Sequence, residues 1–187
     1  SDVCSSDLKA PADGYTLLMI TSSYTINAVL QKTSYDIVKD FAPIALCVMS
    51  PYILSVNPAV PARSIHELIA LAKAKPGQLN YASAGNGTGP HLAGEMLKNM
   101  AKIDIVHIVY KGAAPAMIDL MGGQVQMFFQ TGPGSLAQIK SGKIRALAVT
   151  GAARSPHLPD LPTMIESGMP GVEANGWNGL VAPAGTP

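Results

Sequence analysis

The chain has 187 residues, of which 48% are hydrophobic and only 13% charged, with a formal net charge of +1. Scattered Lys and Arg and an unpatterned 5% of aromatics exclude an electrostatic or stacking platform for nucleic acid. No apolar run approaches the roughly 18–20 residues that cross a bilayer, so the chain is not expected to span a membrane. The two cysteines, Cys4 and Cys47, form neither a disulfide framework nor a zinc spacing, and His66, His91, His107 and His157 lie too far apart for metal ligands. No metal and no cofactor is expected.

The first eight residues, Ser-Asp-Val-Cys-Ser-Ser-Asp-Leu, resemble the translation of a sequencing adapter and lack the basic start and apolar core of a signal peptide. They are read as non-native. The chain stops at Pro187 with no closing helix, and it reads as an internal fragment. Tyr15 to Thr21 has strand character and ends in a polar edge, Thr21-Ser22-Ser23, from which a helix can start. Phe41 to Met49 and Tyr52 to Val56 are further strand runs on either side of Pro51, with Cys47 read as a small buried hydrophobe. Ser64-Ile-His-Glu67 is a capping box, followed by Leu68, Ile69, Leu71 and Ala72 at helical spacing and by the stop Pro76-Gly77.

Leu79 to Ser83 then forms a strand that runs into the turn Ala-Gly85-Asn86-Gly87-Thr88-Gly89, and a helix starts near Pro90 with Gly89 as its N-cap. That helix carries Leu92, Ala93, Met96, Leu97 and Met100 on one face. Strand Ile105 to Tyr110 precedes a helix from about Ala114 to Gly122-Gly123. Strand Gln124 to Phe129 precedes a helix around Leu136 to Ser141. Ile144 to Thr150 reads as a doubly buried strand. A Pro-rich link, Gly151 to Pro170, carries a short helix near Thr163 to Ser167, and Trp177 to Ala182 is a last strand. Such alternation predicts doubly wound parallel sheets, whose ligands sit beyond the carboxyl ends of strands.

Those ends carry the polar loops Thr21-Ser22, Ser83 to Thr88, Tyr110-Lys-Gly112 and Gln130-Thr131. The second is the most informative. A glycine-rich turn at a helix N-terminus offers backbone N–H groups and the positive dipole end to an anion, and Ser83, Thr88 and His91 add side-chain donors. The candidate ligand-binding residues are therefore Thr21, Ser22, Ser83, Gly85, Asn86, Gly87, Thr88, His91, Tyr110, Gly112 and Gln130. Two sharper readings fail: the dinucleotide fingerprint needs glycine where Pro90 stands, and the phosphate-binding P-loop needs Lys after Gly89. A bare strand-to-helix turn is the alternative, as is a structural role for His91.

The order of motifs resembles the tripartite tricarboxylate transporter receptor family, the Bug-type (TctC-like) extracytoplasmic solute-binding proteins. The matching pieces are Pro11-Ala-Asp-Gly-Tyr-Thr-Leu17, Ser64 to Gly77, Tyr81 to Glu95, Val109-Tyr-Lys-Gly112 and Leu120-Met-Gly-Gly-Gln-Val125. Ser141-Gly-Lys-Ile-Arg-Ala-Leu-Ala-Val149, Leu158-Pro-Asp-Leu-Pro-Thr163 and Trp177-Asn-Gly-Leu-Val-Ala-Pro183 complete the series. The resemblance implies an α/β, type II periplasmic-binding-protein fold of two doubly wound lobes with an interlobe cleft. It puts lobe 1 at 9–102, lobe 2 at 103–176 and a return strand to lobe 1 at 177–187, with the N-terminal and C-terminal parts of lobe 1 missing.

The implied function is a periplasmic, non-enzymatic receptor, expected as a monomer. It would capture a small carboxylate (a di- or tricarboxylate, amino acid or aromatic acid) for the membrane subunits of a tripartite transporter. Many relatives carry Asp at the positions of Gln126 and Gln130; the neutral amide of Gln130 would ease binding of a polyanion, unless it is only a solvated strand end. Two rivals remain: a carboxylate-sensing module of a signalling system, and a hydrolase using Ser83 or Ser22 with His91 or His107. Against the hydrolase, the chain has no Gly-x-Ser-x-Gly elbow and no acid with a clear orienting role.

Overall fold

The computed structural model describes residues 10–187, so the reading of residues 1–8 lies outside the described residues. These divide into two compact units. One comprises 10–49 with 176–187, the other 50–175. The expected lobe boundary at 102/103 is not where the chain divides. Residues 80–83 pair with both 106–109 and 127–131, and this shared sheet keeps 50–102 with the segment that follows.

In the first unit, β1 (Leu18–Thr21) leads directly into α1 (Ser22–Leu30), and β1 pairs antiparallel with β7 (Asn175–Pro183), Ile20 opposite Gly179. β7 lies between β1 and β2 (Phe41–Val56). Its core is small: Ile20, Phe41 and Val181, with Tyr24, Tyr35 and Trp177 packed around them. Trp177 packs against this cluster as a partly buried anchor. Pro51 does not interrupt β2, which runs through it as one strand. Cys47 is exposed rather than buried, as are Ile44, Leu46 and Val48 on the same stretch, because no described element covers that part of β2.

The second unit is a five-stranded sheet in the order β6-β2-β5-β3-β4, with β3 (Asn80–Ser83), β4 (Val106–Val109), β5 (Met127–Thr131) and β6 (Arg145–Val149). β3 is parallel to both β4 and β5, whereas β2 runs antiparallel to β5 and β6. The expectation of wholly parallel sheets is thus corrected to a mixed one, since β2 enters the sheet from the opposite end. The segment 163–167 forms no helix; Thr163 instead bridges Val149.

Period-two alternation feeds two layers. Tyr81, Met127 and Phe129 face a core shared with α2 (Ile65–Ala74) and α3 (Gly89–Ala101), through Leu68, Ala72, Ala93 and Leu97. Ala82 and Phe128 face the other way, towards Ala116, Met117 and Leu120 of α4 (Ala113–Met121), with Ile139 of α5 (Gly132–Lys140) at its margin. This is the helix-on-both-faces layering of an α/β fold.

The seat of α3 depends on two missing side chains. A Cβ at Gly94 would overlap the ring of fully buried Tyr81, and one at Gly89 would overlap the Tyr52 hydroxyl. In an ordinary helix interior, Gly→Ala stabilises by up to about 1 kcal/mol. Here the sign reverses, because the Tyr81 ring is enclosed and its hydroxyl is held by Glu95. Gly94→Ala is expected to destabilise the chain by about 1–3 kcal/mol, read as a lower midpoint in a urea melt. An unchanged or raised midpoint would show that α3 does not need this close approach.

Candidate anion-binding edge

Because β4, β3 and β5 are parallel neighbours, their carboxyl ends share one edge of the second unit, and a helix begins just beyond each. α3, α4 and α5 start after Thr88, Gly112 and Thr131, and none has a side-chain cap or an acidic residue in its first turn. The contrast with α1 and α2 is direct: Thr21 and Ser64 accept from the N–H groups of Ser23 and Glu67. An uncapped first turn leaves backbone N–H groups to water or a ligand and carries the positive end of the helix dipole. Three such starts on adjacent strands make one edge suited to negative charge. Asn86 is exposed there, and a Cβ at Gly112 would meet nothing within 4 Å, so the edge is open to solvent.

The turn between β3 and α3 is held from within. Ser83 is fully buried; its Oγ accepts from Gly85 N (3.2 Å) and donates to Gly85 O (3.1 Å). Thr88 Oγ1 donates to the same carbonyl at 2.7 Å, and the Gly87 N–H donates to His91 Nδ1 at 3.2 Å. Gly87 stands at φ +69° and Gly85 at +147°, backbone that side chains other than glycine rarely adopt. The sequence reading gave Ser83 and Thr88 to the ligand; the geometry gives their hydroxyls to the loop. Thr88, not Gly89, is the N-cap residue of α3.

Three rings stack beneath the turn. Tyr81 and His107 lie 4.7 Å apart and 15° from parallel, and His107 and His91 lie 4.2 Å apart at 11°. His107 Nε2 lies 2.6 Å from Ser83 Oγ, and Tyr81 donates to Glu95 Oε1 at 2.6 Å. With Nδ1 of His91 accepting from a backbone N–H, its proton is assigned to Nε2. Since the Ser83 proton goes to Gly85 O, His107 is assigned as the donor to Ser83. Burial, then the neighbouring His91, lowers the His107 pKa from its ordinary value. Burial and the Glu95 carboxylate push the Tyr81 phenol up.

The remaining expected residues divide by unit. Thr21 and Ser22 belong to the first unit, where Thr21 caps α1 and the Ser22 carbonyl accepts from Thr25 Oγ1 at 2.8 Å. The other nine belong to the second unit, in or beside the loops at the carboxyl ends of β3, β4 and β5, with Ser83 buried and Asn86 exposed. Tyr110 turns its hydroxyl to Asp119 on α4 at 2.7 Å, and burial followed by that carboxylate pushes its phenol up to about 12. Gly112 N donates to Ala84 O at 3.2 Å, which ties the β4 loop to the β3 loop. Gln130 Oε1 accepts from Thr131 N at 3.0 Å, at the start of α5. Sequence reading missed Tyr81, Glu95 and Gly94 as supports of the turn; the Tyr81/Glu95 pairing has no sequence signal because it joins a strand to a helix. Among the described residues no group of three His, Cys, Asp or Glu could hold a metal, and no helix is long and apolar enough to cross a membrane.

The His107 shift sets a pH dependence. A histidine whose folded pKa is lowered resists protonation that the unfolded chain accepts near 6.5, so the unfolded state binds more protons below that value. The contribution to stability is present above that pH and is lost as the pH falls through it. The thermal midpoint is expected to drop from about pH 7 to about pH 5.5, and His107→Phe, which keeps a ring in the stack, is expected to flatten that slope. An equal slope in both proteins would assign the pH dependence to other groups.

Comparison with known proteins gives the edge its context. The family model for the tripartite tricarboxylate transporter family receptor matches residues 5–187. Protein BugT of Bordetella pertussis is 37% identical over 181 residues, 95% of this chain and 56% of its own length. The solved structure of R. palustris Rpa4515 with adipate is 38% identical, with a TM-score of 0.92 over 98% of this chain and 62% of that one. MatC (Rpa3494) from Rhodopseudomonas palustris, with bound malate, is 30% identical, with a TM-score of 0.90 over 98% and 63%. The chain spans about half the length of the curated relatives it matches. Its fold is that of the periplasmic binding proteins of this type. A matching family model over almost every residue, sequence identity above 30% and a shared fold agree: the chain belongs to the tripartite tricarboxylate transporter receptor family.

Proposed function

We propose that this chain is part of a periplasmic solute-binding receptor. It holds a small carboxylate at the edge formed by the starts of α3, α4 and α5, and serves the membrane subunits of a tripartite transporter. The observation that carries the reading is the set of three uncapped helix starts at the ends of adjacent parallel strands. Adipate and malate in the solved relatives support a dicarboxylate as the ligand class. Where the bound carboxylate is shielded from water, each charge-assisted bond from a backbone N–H contributes roughly 1.5–3 kcal/mol. Binding, not catalysis, is also favoured by the serine–histidine contact. Ser83 is fully buried, and its proton already goes to a carbonyl, so His107 has none to remove from it. No ester or amide turnover that depends on Ser83 is expected.

Calorimetric titration with malate and with adipate tests the reading. Gly87→Val forces a β-branched residue into a positive-φ turn and should weaken either acid by more than about tenfold. Gln130→Asp adds a negative charge at the start of α5 and should weaken a dianion by roughly three- to tenfold, with less effect at high salt. If both variants bind the acids as the parent does, the anion site lies elsewhere.

A further inference from the structure

A cavity of about 630 Å³ opens in the second unit, at the end of the sheet opposite the candidate edge. It is lined by the start of β6 (Arg145, Ala146), by Ile139, Gly142 and Ile144 before it, by Pro58, and by the link residues His157 to Leu161. The walls are mostly apolar, and the volume suits a small organic molecule. Arg145 is its principal charged group. Nη1 donates to Val60 O and Ala62 O at 3.1 Å each, and Nη2 donates to Pro58 O at 3.3 Å. Three carbonyls thus fix the guanidinium plane without neutralising it. Two of its five N–H donors, Nε–H and one on Nη2, have no acceptor among the described residues, and no carboxylate there lies within ion-pair distance of Arg145.

A pre-oriented guanidinium with free donors, beside an apolar hollow, has the features that recognise a carboxylate carried on a hydrocarbon body. We propose that this cavity is a second ligand site, separate from the α3–α5 edge, which takes a small monocarboxylic acid with an aliphatic or aromatic body. Arg145 holds the carboxylate, and Ile139, Ile144, Leu158 and Leu161 cover the apolar part. Asp160, exposed at the rim, opposes the negative charge and sets the affinity low.

Hexanoate is the probe, with 1-hexanol as the uncharged comparison, and amide shifts in a nitrogen-15 spectrum are the readout. Hexanoate should shift Gly142, Ile144, Ala146, Leu158 and Leu161 as one group, separately from any change at Ser83 to His91, so this claim and the proposed carboxylate edge fail independently. Hexanol should bind at these residues about tenfold more weakly. Arg145→Lys should lose a similar factor through loss of the planar fork. Because that change also releases three carbonyls, Asp160→Asn at the exposed rim gives a second test: hexanoate affinity should rise about two- to threefold. Equal binding of hexanol and hexanoate, an unchanged or lower affinity in Asp160→Asn, or no shift in this group would overturn the proposal.

Discussion

The parallel register of β3 between β4 and β5 is the constraint on which the rest of the second unit depends. It aligns Ser83 with Val109 and brings three strand ends to one edge, so three helices must start side by side. Parallel strands need crossover connections, and here two of those crossovers are α3 and α4, which lie on opposite faces of the sheet. Electropositive helix starts side by side repel one another weakly. They remain uncapped because Thr88 turns its hydroxyl to Gly85 O, Gly112 has no side chain, and Thr131 makes no side-chain cap to its helix.

Rigidity in the turn comes from beneath. Ser83, Thr88 and His91 bind the loop to itself, while the Tyr81, His107 and His91 rings stack as a pillar between β3, β4 and α3. A loop held by its own side chains is ordered in advance, which would lower the ordering cost of the binding proposed above. The polar side chains singled out in the sequence thus hold the turn, taking up the Gly85 and Gly87 N–H groups themselves. Likewise the Tyr110 hydroxyl goes to Asp119 instead of the open edge.

Two opposite ends of the sheet carry different chemistry. At the carboxyl ends of β3, β4 and β5 the donors are backbone groups on an open face. At the start of β6 the donor is one guanidinium in an apolar hollow, fixed by the carbonyls of the segment after β2. The Ser141 to Val149 motif therefore has work beyond forming a strand: Arg145 ties the β2–α2 connection to the sheet from 83 to 87 residues away in sequence.

Local chemistry determined much of this by itself. The capping box at Ser64, the glycine turn at 85–89 and the alternation in Tyr81-Ala82 act through hydrogen bonds or periodicity within a few residues, so they were legible in the sequence. The candidate edge was legible too, because each of its loops is marked by glycine and polar residues at a strand end. Tertiary structure alone decided three things. It set the antiparallel entry of β2, since periodicity carries no strand direction. It put the unit boundaries at 49/50 and 175/176, which depend on pairing partners remote in sequence. And it turned the hydroxyls of Ser83 and Thr88 inward, because a side chain's partner is fixed by which backbone groups surround it once the loop has closed.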